Sequence, residues 1–225
     1  MLGQAQKVCN FNCVYCECGR TTDFTASEAS EIYPPIEDVL GELEAVLRKP
    51  HSLYHITFSG NGEPTLHPKF LEIVQETCKL RERYKPQAKI AVFSNGSRAQ
   101  DGLVLEALDL VDKPIMKLDV GDEADFARVN EPLCDIQLED IVQAYKHIKG
   151  CILQSIFIGG EKGNADAHSV RLWVERVAEI QPKALQIYSL ERPAPYIGVE
   201  RLREEELQEL SLLYSEKFHF PIHVY

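Results

Sequence analysis

Cys9-Asn10-Phe11-Asn12-Cys13-Val14-Tyr15-Cys16 places three thiols within eight residues of a 225-residue chain that holds seven cysteines. An odd number with a crowded trio reads, in a reducing compartment, as metal ligation before disulfides. Three thiolates on one short loop can ligate three irons of a cubane cluster. The fourth iron is then open to an outside ligand, by the logic that separates open catalytic metal sites from closed structural ones. Two other readings use Cys18, as fourth ligand of a structural zinc or of a four-cysteine electron-transfer cluster. Four zinc ligands within ten residues would be cramped, and the Cys16-x-Cys18 spacing is short for reaching a separate cluster corner. Cys18 therefore reads as a non-ligand beside the cluster. Cys78 shares helical spacing with Leu71 and Val74 and reads as core, and Cys134 and Cys151 stand alone as small hydrophobes. No second cluster is expected.

Outward from that loop, short β-branched runs alternate with amphipathic stretches. Strands are expected at 54–59, Lys89–Ser94, 115–120, 152–158 and 184–189. Helical stripes run through Ile36, Val39, Leu40, Leu43, Val46 and Leu47, entered by Pro34-Pro35, and through Leu71 and Val74. Two more run through Leu138, Ile141, Val142, Tyr145 and Ile148, and through Val170, Trp173, Val174, Val177 and Ile180. Repeated βα units demand a parallel sheet with right-handed crossovers. The strands read as near-continuously apolar, as when both faces are covered. Periodicity does not separate a doubly wound sheet from a barrel, but both put ligands at the carboxyl ends of the strands. A helix at 204–218 and a tail at 221–225, whose Ile222 and Val224 alternate with His223 and Tyr225, close a single domain over 1–225.

Unusual residues fall at those strand ends. Thr57-Phe58-Ser59-Gly60-Asn61-Gly62-Glu63-Pro64 follows the first strand, and glycine there lets backbone approach a ligand. Ser94-Asn95-Gly96 ends the second strand, as a simple turn or as part of a site. Lys117 and Asp119 face one way on the third, so they form an ion pair or meet a polar ligand. Ile156-Phe157-Ile158-Gly159-Gly160 reads as core strand plus turn or as a ligand-packing strand end. The polar run from Gln186 through Tyr188 to Pro193 overlooks the substrate side.

The Cys-x3-Cys-x2-Cys spacing with Tyr15 before the last cysteine resembles the signature of the radical S-adenosylmethionine (SAM) superfamily. The resemblance implies a partial (β/α)6-type barrel and a [4Fe–4S] cluster on Cys9, Cys13 and Cys16. It also implies that SAM chelates the open iron and is cleaved by one electron to a 5′-deoxyadenosyl radical. Gly60, Gly62 and Glu63 resemble the Gly-Gly-Glu motif that holds the SAM amino group, with Asn61 interrupting the pair. By the same resemblance Tyr15, Ser94 and Asn95 adjoin the cofactor, and Asp119 accepts from the ribose. Lys117 or Arg128 meets the carboxylate, Ile158 and Gly159 pack on adenine, and Tyr188 faces substrate. Only eight residues precede Cys9, so either the barrel lacks its first strand or the start of the sequence is truncated. Segments 9–19, 57–68 and 94–96, with Asn130-Glu131-Pro132 and Glu191-Arg192-Pro193, resemble the small radical SAM proteins related to wyosine-forming tRNA enzymes.

Two features set this chain apart from the wyosine enzymes. It has no second cysteine trio, and its net charge is −11. Acidity argues against a large phosphate footprint. Lys79, Arg81, Arg83 and Lys85 end a helix beside Glu72, Glu76 and Glu82, as a solvated face does. The expectation is a cytoplasmic radical SAM enzyme with an unidentified substrate and a flavodoxin- or ferredoxin-type electron donor. The alternatives are tRNA guanosine modification and a non-catalytic iron–sulfur carrier or assembly module. With 44% hydrophobic residues and no apolar run near the roughly 20 that span a bilayer, no membrane role is expected.

Overall fold

The computed structural model describes residues 7–21, 33–192, 196–215 and 217–225; the expectations for the first six residues and Pro193 lie outside them. Eight strands form: β1 His55–Phe58, β2 Lys89–Ser94, β3 Lys113–Lys117, β4 Ile152–Ile156, β5 Ile158–Gly159, β6 Ala184–Tyr188, β7 Glu200–Arg201 and β8 Ile222–Val224. Six of them build one sheet in the order β1-β2-β3-β4-β6-β8. Every neighbour in it is parallel. β1 and β8 are the free edges, so the sheet is open, as in a partial radical SAM barrel. In place of an earlier strand, the described residues ahead of β1 contribute an isolated parallel bridge from Val8 to Gly62.

The crossovers are α1 Ile36–Leu47, α2 Phe70–Tyr84, α3 Gly102–Asp109, the single turn α4 Glu123–Asp125, α5 Leu138–Tyr145, α6 Ala167–Ile180 and α7 Glu204–Ser215. Their starts are written locally. Asp101 accepts the Leu103 N–H at α3, and Asp166 accepts those of His168 and Ser169 at α6, satisfying donors that a helix leaves unpaired. The expected stripes face one core. Val74, Leu108, Val142, Trp173 and Val177 pack with Ile90, Val92, Met116, Leu153 and Leu185 from the strands.

The near-continuous apolar strands expected from the sequence are buried on both faces in β2, β3 and β4. The face turned from the main core carries a smaller buried cluster, Ala91, Ile115 and Ile152 with Phe93 and Ala184 packed against it. Burial alternates only along β1 and β6, nearer the sheet edges. The register sets Lys117 beside Gln154, Gln154 beside Gln186, and Gln186 beside His223, a polar row across four strands.

Strand limits also shift. β3 starts at Lys113, because Pro114 sits where β3 pairs with β2 but not yet with β4, whose register opens at Ile115. The expected strand at 152–158 breaks at Phe157, which donates its N–H to the Tyr188 carbonyl at 2.8 Å and packs edge-on to Trp173. Past that break, β5 turns to pair antiparallel with β7. Helix α7 ends at Ser215, and the alternating tail is β8.

Helix α6 sits tight on the sheet. Trp173 donates its indole N–H to the Leu118 carbonyl and the Ser155 hydroxyl, both at 3.0 Å. A Cβ at Gly121 would lie 2.1 Å from the Leu172 backbone. Gly121→Ala should thus lower stability by about 1–3 kcal/mol through overpacking. Gly41→Ala on α1, where nothing lies within 4 Å, should raise it by about 0.5–1 kcal/mol. Urea denaturation of both variants reads the difference in sign.

Candidate functional site

The cysteine loop has no repeating secondary structure and takes its shape from cross-links. Lys7 Nζ donates to the Gly19 carbonyl at 2.9 Å, the Thr21 N–H to Asn12 Oδ1 at 2.7 Å, and the Thr21 hydroxyl to the Cys9 carbonyl at 2.9 Å. Two backbone seams then fasten it across the strand ends. On one side the Val8 N–H donates to the Asn61 carbonyl and the Glu63 N–H to the Val8 carbonyl, at 2.9 and 2.8 Å. On the other, Asn12 donates to Glu131, Val14 to Val129 and Leu133 to Asn10, all within 3.0 Å. The first seam needs glycine. Gly62 has φ +137° and its Cβ would stand 1.7 Å from the Val8 carbonyl oxygen.

Glu63, expected to hold the SAM amino group, spends its carboxylate inside the protein. It accepts from the Thr65 N–H and hydroxyl, the Ser94 hydroxyl and the Asn95 N–H at 2.7–3.0 Å. That is the full acceptor capacity of a carboxylate. Burial pushes its pKa above the usual carboxylate value and the four donors oppose the shift. The group ties the end of β1 to the end of β2. Asn95 carries the tie onward, donating from Nδ2 to Asn10 Oδ1 at 3.0 Å and towards Cys9 Sγ at 3.7 Å.

Asp119, expected at the ribose, is a second saturated hub. Its side chain is fully enclosed and accepts from Lys117 Nζ at 3.0 Å, the Ile156 N–H at 3.0 Å, Asn130 Nδ2 at 2.9 Å and the Tyr15 hydroxyl. The Lys117–Asp119 ion pair anticipated from the sequence is therefore present. Lys117 also donates to the Tyr188 hydroxyl at 2.9 Å, with its ammonium 4.7 Å from the Tyr188 ring centre and 5.2 Å from that of Tyr15. Burial alone would lower the Lys117 pKa. Asp119 and Tyr188 outweigh it, and the pKa rises above that of ordinary lysine.

Cys9, Cys13, Tyr15, Glu63, Ser94, Asn95, Lys117, Asp119 and Tyr188 are thus joined at the carboxyl ends of the strands, with Gly60 and Gly62 on the adjoining turn. Arg128 is committed elsewhere, pairing with Asp125 and donating to the Gly163 carbonyl. Ile158 is fully buried, and Gly159 lines a cleft of about 500 Å³ between β5 and α7. Sequence reasoning passed over four asparagines. Asn10 and Asn12 organise the cysteine loop, Asn130 joins Asp119 to Cys13, and Asn164 Nδ2 donates to the Asp119 and Ile156 carbonyls at 2.7 and 2.8 Å. Asn130 was visible inside the Asn130-Glu131-Pro132 motif; nothing local distinguishes Asn164.

The thiols suit a cubane cluster. Among the described residues no three His, Cys, Asp or Glu side chains converge on a single metal ion. Three thiols on one short loop are the soft donor set that iron–sulfur clusters take. Burial, with Asp119 adding to it, pushes the Cys13 thiol up to about 11, and burial followed by Cys13 raises that of Cys9 further. A metal centre bound by these thiols would displace a proton from each. Cys18 is exposed beside Cys16. Removing the Asp119 hub should expose this dependence. Asp119→Ala strands a buried ammonium and should cost about 3–5 kcal/mol in urea denaturation. Lys117→Met should cost less, since three donors still serve the carboxylate.

A profile of the Radical SAM superfamily matches residues 4–149. A UPF0026 protein of Synechocystis sp. is 30% identical over 197 residues, covering 85% of this chain and 69% of that protein. Streptococcus suis SuiB bound to S-adenosylmethionine has a TM-score of 0.71 at 13% identity, covering 98% of this chain and 49% of SuiB. The chain therefore spans about half the length of SuiB. TYW1 with a lysine–pyruvate adduct has a TM-score of 0.65 at 17% identity, covering 94% of this chain and 70% of that one. These two likenesses are of fold, and the profile and the UPF0026 relative carry the assignment: the chain belongs to the radical SAM superfamily and, within it, to the UPF0026 proteins.

Proposed function

We propose that Cys9, Cys13 and Cys16 hold a [4Fe–4S] cluster beside which SAM binds, and that the resulting radical abstracts a hydrogen atom from a substrate. The observation that carries this reading is the double seam, which fixes the cysteine trio over the carboxyl ends of β1, β2 and β3. When bound, cluster and SAM together supply one-electron cleavage to a 5′-deoxyadenosyl radical, chemistry that belongs to the cofactor rather than the protein. The chain's own part is positioning. Glu63 and Asp119 act at one remove, holding the glycine turn, Asn95 and Tyr15. The Lys117 ammonium, paired with Asp119 and set between two tyrosine rings, would turn its remaining N–H to the SAM carboxylate.

The substrate would approach along the polar row Lys117, Gln154, Gln186 and His223. Electrons would come from a flavodoxin- or ferredoxin-type donor. A tRNA substrate is not favoured at a net charge of −11.

Anaerobic reconstitution should load about four irons. Cys9→Ala, Cys13→Ala and Cys16→Ala should each abolish loading, and Cys18→Ala should retain it. Reduced, loaded protein should convert SAM to 5′-deoxyadenosine and methionine, measured by chromatography. An intact cluster without that conversion would favour the electron-carrier reading.

For nucleic acid, a gel shift with total tRNA at about 100 mM salt should show no tight complex, because phosphate contacts dominate such binding. Sub-micromolar binding there would put tRNA modification first.

A further inference from the structure

We infer that Asn95 and Asn130 set the reduction potential of the cluster by donating side-chain N–H groups to two of its thiolate ligands. The inference rests on the reading of Cys9 and Cys13 as ligands. Asn95 Nδ2 stands 3.7 Å from Cys9 Sγ and Asn130 Nδ2 stands 3.6 Å from Cys13 Sγ. Each amide divides its two N–H groups in the same way, one to an anchoring oxygen and one to a ligand sulfur. The anchors are Asn10 Oδ1 at 3.0 Å for Asn95 and Asp119 Oδ2 at 2.9 Å for Asn130.

Neither amide can be turned round. Asn95 Oδ1 accepts the Ser97 backbone N–H at 2.9 Å, and that group can only donate. Asn130 faces the Asp119 carboxylate, which is ion-paired to Lys117 and accepts from every partner it has, so the NH2 side must face it. A third donor, the Phe11 backbone N–H, lies 3.4 Å from Cys9 Sγ. Cys9 and Cys13 have amide donors and Cys16 has none among the described residues.

Donors aimed at a thiolate stabilise the added negative charge of the reduced cluster, and more strongly where water is scarce. The step is a one-electron reduction, the electron coming from an external reductant such as dithionite. Deleting either amide should make the potential more negative. The two amides hang on separate anchors, Asn95 on Asn10 and Glu63 and Asn130 on Asp119, so their effects should add.

The test is an EPR-monitored redox titration of the reconstituted full chain, as wild type, Asn95→Ala, Asn130→Ala and the double variant, without SAM or substrate. Each single variant, at full iron content, should lower the reduced-to-oxidised ratio at fixed potential about tenfold, the range found for partners of metal ligands. For a one-electron couple that is 59 mV. A purely structural role would change iron loading or stability and leave the potential of loaded protein where it was, and that result overturns the inference. If Asn130→Ala takes up no iron, the half-exposed Asn95→Ala decides alone, an unshifted potential overturning the inference. A wild-type chain that loads no [4Fe–4S] cluster overturns the ligand assignment beneath it.

Discussion

Everything at the site depends on the close approach of Val8 to Gly62. The cysteine loop carries neither helix nor strand to hold it, and three thiols on a free loop would sample many separations. Two backbone hydrogen bonds from Val8 to residues 61 and 63 fix where the loop begins. They form only because position 62 lacks a side chain and tolerates φ +137°. The seam also delivers Glu63 to the end of β2, where Ser94 and Asn95 add two donors to the two from Thr65. A single glycine thereby couples the metal-binding loop to the sheet and to the polar network below it.

Two buried carboxylates, Glu63 and Asp119, serve that network in the same manner. Each has all of its acceptor capacity met by the protein, the condition under which a buried charge is tolerated. Each also reaches the cysteine loop through an intermediary, Glu63 by Asn95 and Asp119 by Tyr15 and Asn130. A displaced cysteine would break hydrogen bonds at one of the two hubs, where an unsatisfied polar atom is costly. The loop is therefore held in place before any cofactor arrives, which favours a site that must position reacting atoms closely.

The face of the sheet turned from the main core carries a smaller buried cluster and, beside it, the polar row from Lys117 to His223. A chain of net charge −11 has put lysine, glutamine and histidine there and no carboxylate in the row. The acidic residues lie largely at helix starts and on solvent faces, as with Glu37 and Asp38 on α1 and Glu204, Glu205 and Glu206 on α7.

The βα alternation, the parallel sheet, the cysteine trio and the glycine turn were legible in the sequence, because each depends on spacing over a few residues. The cysteine spacing and the 3.6-residue stripes needed no knowledge of the rest of the chain. The alternation along β1 and β6 was not legible, since a strand's place near the sheet edge is fixed by the order of pairing and not by its own residues. Nor were the end of β4 at Phe157 and the antiparallel β5–β7 pair, which bring together residues about forty apart. The roles of Asn10, Asn130 and Asn164 became visible only with the fold, because an asparagine reads as a surface or turn residue until its partners are in place. Glu63 and Asp119 were found in sequence, but their work was not: beside local donors such as Thr65 and Lys117, each carboxylate is saturated by contacts 31 to 104 residues away, which only tertiary packing supplies.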